Sequence, residues 1–357
     1  MISREAMPWV LLLSLLAGLT GCGAPATHLA YVSLPQSNAV AAFRINDASG
    51  GFSPIVGSPY LAGNSPGPLV VHPSNRFVYV ANQIDNTISL FKIDSNIGSL
   101  TEVTPRINAG LAPTSMVVDK SGSFLFVANA VSSNISAYSI DASTGALAQV
   151  PGSPFAAFPN PAEIAITPSG KFLYVVNTNQ SAVFTYTITS GVLQPLAGLP
   201  AAAEGGAFGI AIDPNEKFVY VANSAENTVS IFSINSASGA LTPVVGTAFA
   251  AGTTPISIAV SPSGQYLYIA NQGSGDITAY SVDSTTGFPT LITGSPFRPT
   301  GPPITILSDP TGNFVYTVSQ SSKEITALAV TSGTGVLTLS QTAPTSVAAA
   351  AMGVTTH

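Results

Sequence analysis

The chain has 357 residues, of which 46% are hydrophobic and only 7% are charged, and its net charge is −6. It contains 32 glycines and 28 prolines but no long apolar run after residue 19, a composition typical of a turn-rich, all-β protein. Because the sequence contains no cluster of basic residues, neither nucleic acid nor an anionic membrane surface is an expected partner.

The N-terminal segment has the features of an export signal. Arg4 precedes an apolar stretch at residues 8–19, which is too short to span a bilayer. The stretch ends in LTGC at residues 19–22, which resembles the lipobox of bacterial lipoproteins, and Cys22 is the only cysteine. The resemblance implies cleavage after residue 21 and lipidation of Cys22. Gly23, and not an aspartate, follows Cys22. By resemblance to Gram-negative lipoproteins, this favours anchoring in the outer membrane over anchoring in the inner membrane. The alternative is an ordinary signal peptide with an incidental thiol.

A six-residue motif recurs along the rest of the chain. The motif FVYVAN at residues 77–82 returns as FLFVAN, FLYVVN, FVYVAN, YLYIAN and FVYTVS, and LAYVSL at residues 29–34 is a degenerate first copy. The copies are 46 to 48 residues apart and are centred on Tyr31, Tyr79, Phe126, Tyr174, Tyr220, Tyr268 and Tyr316. Seven copies at this period predict a repeat architecture.

Each repeat contains four predicted strands. In one of them the strands are Pro255–Val260, Tyr266–Asn271, 277–282 and 289–293, separated by turns rich in Gly and Ser. Such a small sheet buries both of its faces only against neighbours, so seven sheets predict a seven-bladed β-propeller of four-stranded antiparallel blades. A C-terminal strand near Met352 is expected to complete the N-terminal blade. We therefore predict a signal peptide at 1–21, a lipidated cysteine and tether at 22–28, and one propeller at 29–357.

The repeat PISIAVSPSGQYLYIAN, at residues 255–271, resembles the YVTN-type repeat of the seven-bladed lactonase family. This family includes 6-phosphogluconolactonases and carboxymuconate cycloisomerases, and the resemblance covers residues 27–357. It implies the propeller fold and a site in the central funnel. In hydrolytic relatives, histidines occupy the third position of the inner strand in several blades. None does so here.

Glu163 is the candidate catalytic residue. The third residues of the inner strands are expected to face the funnel, and these are Pro68, Ser115, Glu163, Gly209, Ser257, Thr305 and Gly353. Glu163 is the only ionisable member of this column, and a desolvated carboxylate can act as a general base. A solvated acid, or one paired with a neighbouring donor, is the alternative.

Four further residues are candidate substrate ligands. Arg106 and Arg298 lie in connectors that lead to inner strands, where they could overhang the funnel. Asn129 and Asn177 close second strands at the funnel rim and could bind a sugar or a lactone. The alternative for the asparagines is a structural bond to the loop that follows. His72 shares its column with turn residues, so we expect it in a tight turn at the opposite rim.

The sequence offers no metal site and no cofactor site. It has one cysteine, three histidines and no acidic cluster at ligand spacing, and it lacks nucleotide-binding motifs. With only two arginines near the funnel, a phosphorylated substrate is doubtful.

Three functions are compatible with this sequence. The sequence favours the first, a monomeric, lipid-anchored binding module at the cell envelope whose partner is an envelope protein, a glycan or a small lactone, because it is rich in residues that build blades and poor in catalytic ones. The second is a lactone hydrolase in which Glu163 activates water and Arg106 or Arg298 polarises the substrate. This hypothesis predicts that Glu163 and an arginine converge within hydrogen-bond distance. The third is a surface adhesin that binds glycans through its exposed loops.

Overall fold

The structure, a computed structural model, describes residues 27–244 and 248–356. These residues form seven antiparallel sheets, and the innermost strands of neighbouring sheets contact one another around a central axis. Within the described part of the chain the one helix is a 3₁₀ turn at Pro35–Ser37, and no helix is long and apolar enough to cross a membrane. The predicted signal segment, Cys22 and the start of the tether lie outside the described residues.

The strands follow the repeat, with one sheet, or blade, per repeat. Blade 1 begins with β1 (Thr27–Leu34), β2 (Ala39–Asn46), β3 (Phe52–Pro54) and β4 (Tyr60–Leu61). Blade 2 contains β5 (Pro66–Val71), β6 (Phe77–Asn82), β7 (Thr87–Ile93) and β8 (Leu100–Asn108). Blade 3 contains β9 (Pro113–Val118), β10 (Phe124–Asn129), β11 (Asn134–Ile140), β12 (Leu147–Gln149) and β13 (Phe155–Ala156). Blade 4 contains β14 (Pro161–Ile166), β15 (Phe172–Asn177), β16 (Ala182–Thr189), β17 (Val192–Pro195) and β18 (Ala201–Ala202).

The second half of the chain repeats this arrangement. Blade 5 contains β19 (Ala207–Ile212), β20 (Phe218–Asn223), β21 (Thr228–Ile234), β22 (Leu241–Pro243) and β23 (Phe249–Ala250). Blade 6 contains β24 (Pro255–Val260), β25 (Tyr266–Asn271), β26 (Asp276–Val282) and β27 (Pro289–Leu291). Blade 7 contains β28 (Thr305–Ser308), β29 (Phe314–Ser319), β30 (Glu324–Val330) and β31 (Leu337–Pro344), and β32 (Met352–Val354) follows it.

The ring closes through the two ends of the chain. β32 pairs with β1 in antiparallel register, with Tyr31 opposite Gly353, and so supplies the inner strand of blade 1. A hydrophobic cluster that includes Phe43, Tyr316 and Met352 fills the space between blades 7 and 1. The predicted closure is therefore confirmed, since both chain ends contribute to blade 1 and blade 1 packs against blade 7 without a gap.

The recurring motif forms the second strand of each blade and is buried on both faces. In β6, β15, β20 and β29 every residue is buried. The central tyrosine also reaches the next blade, since Tyr79 Oη donates to the carbonyl of Gly145 at 2.8 Å. Gly145 has φ +75°, and a Cβ there would lie 2.6 Å from the Phe77 ring, so glycine fits this close approach. The motif thus encodes blade packing.

The outer edges of several blades carry a short fifth strand that the sequence analysis missed. A Gly-Ser-Pro turn at residues 152–154 separates β12 from β13, and both strands pair with β11. The Ser153 hydroxyl accepts the Ala137 N–H at 2.8 Å in the gap between them. Ser58 and Ser295 do the same in blades 1 and 6. The serine hydroxyl therefore replaces the backbone carbonyl that would accept this hydrogen bond if the outer strand continued without the turn.

The propeller begins two residues earlier than predicted. β1 starts at Thr27 because β2 extends to Asn46 and pairs with it. His28, placed in the tether by the sequence analysis, is a buried residue of β1 whose Nδ1 lies 2.7 Å from Asp47 Oδ1.

Candidate functional site

A cavity of about 920 Å³ lies on the axis of the ring. It occupies the end at which the inner strands begin and the second strands finish, called here the cavity rim. The residues that directly follow the second strands surround its mouth, among them Gln83, Thr178, Ser224, Gln272 and Gln320. The cavity is large enough for a small ligand such as a monosaccharide.

Five of the seven predicted column residues line this cavity, namely Pro68, Ser115, Glu163, Ser257 and Thr305. The other two residues of the column are glycines, Gly209 and Gly353. A Cβ at Gly209 would lie 2.7 Å from the Ile256 carbonyl oxygen, so the strands of blades 5 and 6 come together there without a side chain. In the described part of the chain, Glu163 is the only ionisable residue of the cavity lining.

Glu163 links the inner strands of two blades. Its Oε2 accepts the N–H of Ile210 in the neighbouring blade at 2.9 Å. The Ser115 and Ser257 hydroxyls make the equivalent bonds, to Ile164 and Ile306, at 3.2 Å. A carboxylate has one oxygen more than a hydroxyl, and Oε1 of Glu163 has no hydrogen-bond partner among residues 27–244 and 248–356. This oxygen is available to a ligand or to water in the cavity.

The environment of Glu163 favours its neutral form. The side chain is half-buried and faces the interior of the ring. Burial raises the pKa of Glu163 from its ordinary value of 4.5 to about 7, and the hydrogen bond from Ile210 opposes this rise. A carboxyl group with a pKa near neutrality can both accept and return a proton under physiological conditions.

The structure does not bring Arg106 to Glu163. β8 extends to Asn108 and pairs with β7 on both sides of a register irregularity, so Arg106 lies within an outer strand rather than in a connector. Its Nε donates to Glu102 Oε1 at 2.7 Å, and its guanidinium lies 4.0 Å from Asp85. Its charge is therefore already paired away from the cavity, on the outer side of blade 2.

Arg298 is also outside the cavity lining. An isolated bridge joins Phe297 to Ile277 of β26, and this bridge holds the connector against the third strand of blade 6. Arg298 follows directly and is exposed. The predicted convergence of Glu163 with an arginine is thus wrong for both candidates.

The two candidate asparagines are buried below the rim. Asn129 Nδ2 donates to Asn134 Oδ1 at 2.9 Å and to the Ser136 hydroxyl at 3.0 Å. Asn177 Oδ1 accepts the N–H of Gln180 at 3.0 Å. Neither side chain lines the cavity, and both hold the loop or the strand that follows, which is the structural alternative.

His72 lies in a turn at the opposite rim, as predicted. Its Nδ1 accepts the N–H of Ser74 at 3.0 Å, so its Nε2 carries the proton and donates to the Gly122 carbonyl at 2.9 Å. The imidazole joins blade 2 to blade 3 and is far from Glu163 along the axis. Among the described residues, no group of three or more His, Cys, Asp or Glu side chains is placed to hold a metal ion.

An aromatic residue that the sequence analysis missed also lines the cavity. Phe208, the second residue of β19, is 42% exposed although it lies inside a concave site. The pairing of β19 with β20 shifts register between Ala207 and Ile210, and Phe208 but not Gly209 lines the cavity. Only the third residue of each inner strand was expected there, so Phe208, a second residue, was missed.

Comparison with known proteins gives a consistent family match. The model of the family described as "Lactonase, 7-bladed beta-propeller" matches residues 23–156, 148–256 and 245–352. A candidate 6-phosphogluconolactonase from Bacteroides uniformis has a similar structure, with a TM-score of 0.80 and 18% identity, over 92% of this chain and 99% of that one. The periplasmic gluconolactonase of Pseudomonas aeruginosa gives a TM-score of 0.78 and 17% identity, over 93% of this chain and 99% of that one. No curated protein matches the sequence significantly.

Proposed function

Because the chain belongs to the lactonase family of seven-bladed β-propellers, we propose that it hydrolyses a lactone in the central cavity, with Glu163 as the general base. One observation carries the proposal. Glu163 is the one ionisable group of the described cavity lining, it has an oxygen without a protein partner, and burial raises its pKa to about 7. The related gluconolactonase is similar in fold, which is consistent with this activity.

The reaction requires one proton to be moved twice. Oε1 of Glu163 accepts a proton from water as the water oxygen bonds to the lactone carbonyl carbon. When the ring C–O bond breaks, the carboxyl group returns that proton to the departing ring oxygen, and the product is a hydroxy acid. The hydrogen bond from Ile210 holds Oε2, so that Oε1 is fixed towards the cavity during both steps.

The negative charge that develops on the carbonyl oxygen needs hydrogen-bond donors. Since neither Arg106 nor Arg298 lines the cavity, neutral groups supply them. Asn160 directly precedes β14, and Thr178 directly follows β15, so both belong to the same blade as Glu163 and line the same cavity. The exposed side-chain amide of Asn160 is our candidate for a donor, whereas the Thr178 hydroxyl is buried.

The proposal is tested by proton release from D-glucono-1,5-lactone, measured with the soluble protein that begins after Cys22. We expect Glu163→Gln to lower kcat by roughly 100-fold or more, because a general base contributes at least this factor. Glu226→Gln is the matched control, since Glu226 is an exposed glutamate at the same rim and outside the cavity lining. Equal rates for Glu163→Gln and wild type would show that the base lies elsewhere.

A protein that turned over no lactone would contradict the proposal and return attention to a binding function. Lipidation at Cys22 and an outer-membrane location are separate proposals that rest on the sequence of residues 1–23. They are compatible with hydrolysis or with binding alone.

A further inference from the structure

One position of the cavity breaks the symmetry of the ring. Each blade contributes one residue from the start of its inner strand, or from directly before it, to the cavity lining, and these residues are Gly67, Thr114, Ala162, Phe208, Ile256, Ile304 and Met352. Phe208 is the only aromatic residue of the described lining. An exposed phenyl ring inside a concave site is unfavourable in water unless a ligand covers it.

Phe208 lies close to the proposed base. Glu163 Oε2 bonds to the N–H of Ile210, two residues after Phe208 on the same strand. Between them, Gly209 adds no side chain that could separate the phenyl ring from the carboxylate. A ligand in this sector of the cavity would therefore meet an apolar surface and an acidic group together.

The rest of the described lining is polar but uncharged. The side-chain amides of Gln83, Asn179, Gln272 and Gln320 surround the mouth, and no lysine, arginine or histidine is present. Amides can donate to and accept from hydroxyl groups, whereas a phosphate group buried without a cation loses its hydration with no compensation. The single charge, on Glu163, would also repel a phosphate.

From these observations we propose that Phe208 is the platform for the apolar face of a sugar ring, and that the cavity selects an uncharged, hydroxylated sugar lactone over its phosphorylated form. The inference rests on the proposed lactone hydrolysis. The C–H groups on one face of a pyranose-sized ring would pack on the phenyl ring, while the hydroxyl groups reach the amides.

The test compares kcat and KM for D-glucono-1,5-lactone and for its 6-phosphate. We expect the wild type to favour the uncharged lactone by roughly 100-fold or more in kcat/KM. Phe208→Ala should raise the KM for the uncharged lactone roughly tenfold and change kcat by less than about threefold. Phe158→Ala is the matched control, because Phe158 is 47% exposed and packs on Phe184 outside the cavity lining.

The outcomes separate this inference from the proposed function. If the protein hydrolysed neither lactone, the proposed function would fail and this inference would fail with it. If it hydrolysed both lactones equally well, or if Phe208→Ala behaved like Phe158→Ala, only the inference about selectivity and the platform would be overturned.

Discussion

Replacing Glu163 by glutamine should stabilise the protein above neutral pH while it removes activity. Glutamine keeps an oxygen that can accept the N–H of Ile210, but it cannot ionise. In the wild type, burial raises the pKa of Glu163 to about 7 from an ordinary value of 4.5. The folded state therefore binds the proton more tightly than the unfolded state does.

The sign of the effect follows from this order of pKa values. Below about pH 4.5 the carboxyl group is neutral in both states, so glutamine and glutamate should be nearly equivalent. Between pH 4.5 and about 7 the unfolded state ionises while the folded state keeps the proton, so the wild type progressively loses this stability, and the loss is complete above about pH 7. At about 1.4 kcal/mol per pKa unit, the difference between 4.5 and about 7 amounts to at most about 3.5 kcal/mol. For a chain of this size, that corresponds to an increase in Tm of at most about 5 °C.

The assay is thermal unfolding of wild type, Glu163→Gln and the control Glu226→Gln between pH 4.5 and 9. We expect the Tm of Glu163→Gln to equal that of wild type at pH 4.5 and to exceed it increasingly up to about pH 7, with a constant excess above that, and the control to show no such pH dependence. A Tm difference that is constant with pH, or a less stable glutamine variant at pH 9, would refute the reasoning about the buried carboxyl group.

The remaining predictions concern packing, the opposite rim and the N-terminus. Tyr79→Phe removes the bond to the Gly145 carbonyl and should lower the free energy of unfolding in urea by about 1 kcal/mol, whereas an unchanged midpoint would disprove this link between blades. His72→Asp keeps an acceptor for the turn but loses the bond to Gly122, so Tm should fall by about 2 °C while lactone turnover is unchanged. A loss of turnover would place His72 in the site. Cys22→Ser should release the full chain from membranes into the soluble fraction on cell fractionation, and persistent membrane association would contradict lipidation.

The second strands could be predicted closely because the motif reports burial directly. The structure confirms Pro255–Val260 and Tyr266–Asn271 with their predicted bounds. Aromatic and β-branched residues on both faces of a strand leave few alternatives to a sheet that is covered on both sides. The period of the motif then fixes the number of blades and, through the offset of the chain ends, the closure by β32.

The arginine positions could not be predicted because the connectors do not follow the repeat. Whether residue 106 belongs to a strand or a connector depends on how far β8 pairs with β7, and the pairing extends through an irregularity in register. The connector that carries Arg298 is held by a single β-bridge at Phe297, and no sequence motif marks that bridge. In both cases the deciding contact is between strands, so residue order alone does not reveal it.

Part of the cavity lining could be predicted from the sequence. Glu163, the third residue of its inner strand, was expected to face the funnel, and the structure confirms that position. Phe208 was missed because only the third residues of the inner strands were expected at the cavity, whereas in blades 2 to 6 the second residues line it as well. The rise in the pKa of Glu163 depends on how closely neighbouring blades surround it, which the sequence does not specify.

The central claim, that Glu163 is the base of a lactone hydrolase, is tested most directly by the pH dependence of kcat/KM for D-glucono-1,5-lactone. After subtraction of spontaneous hydrolysis, the wild type should show an activity that rises with pH and levels off above an apparent pKa of about 7, the value expected for the Glu163 carboxyl. Glu163→Gln should lose this rise together with most of the rate. A profile that kept the same rise in the glutamine variant would contradict the assignment.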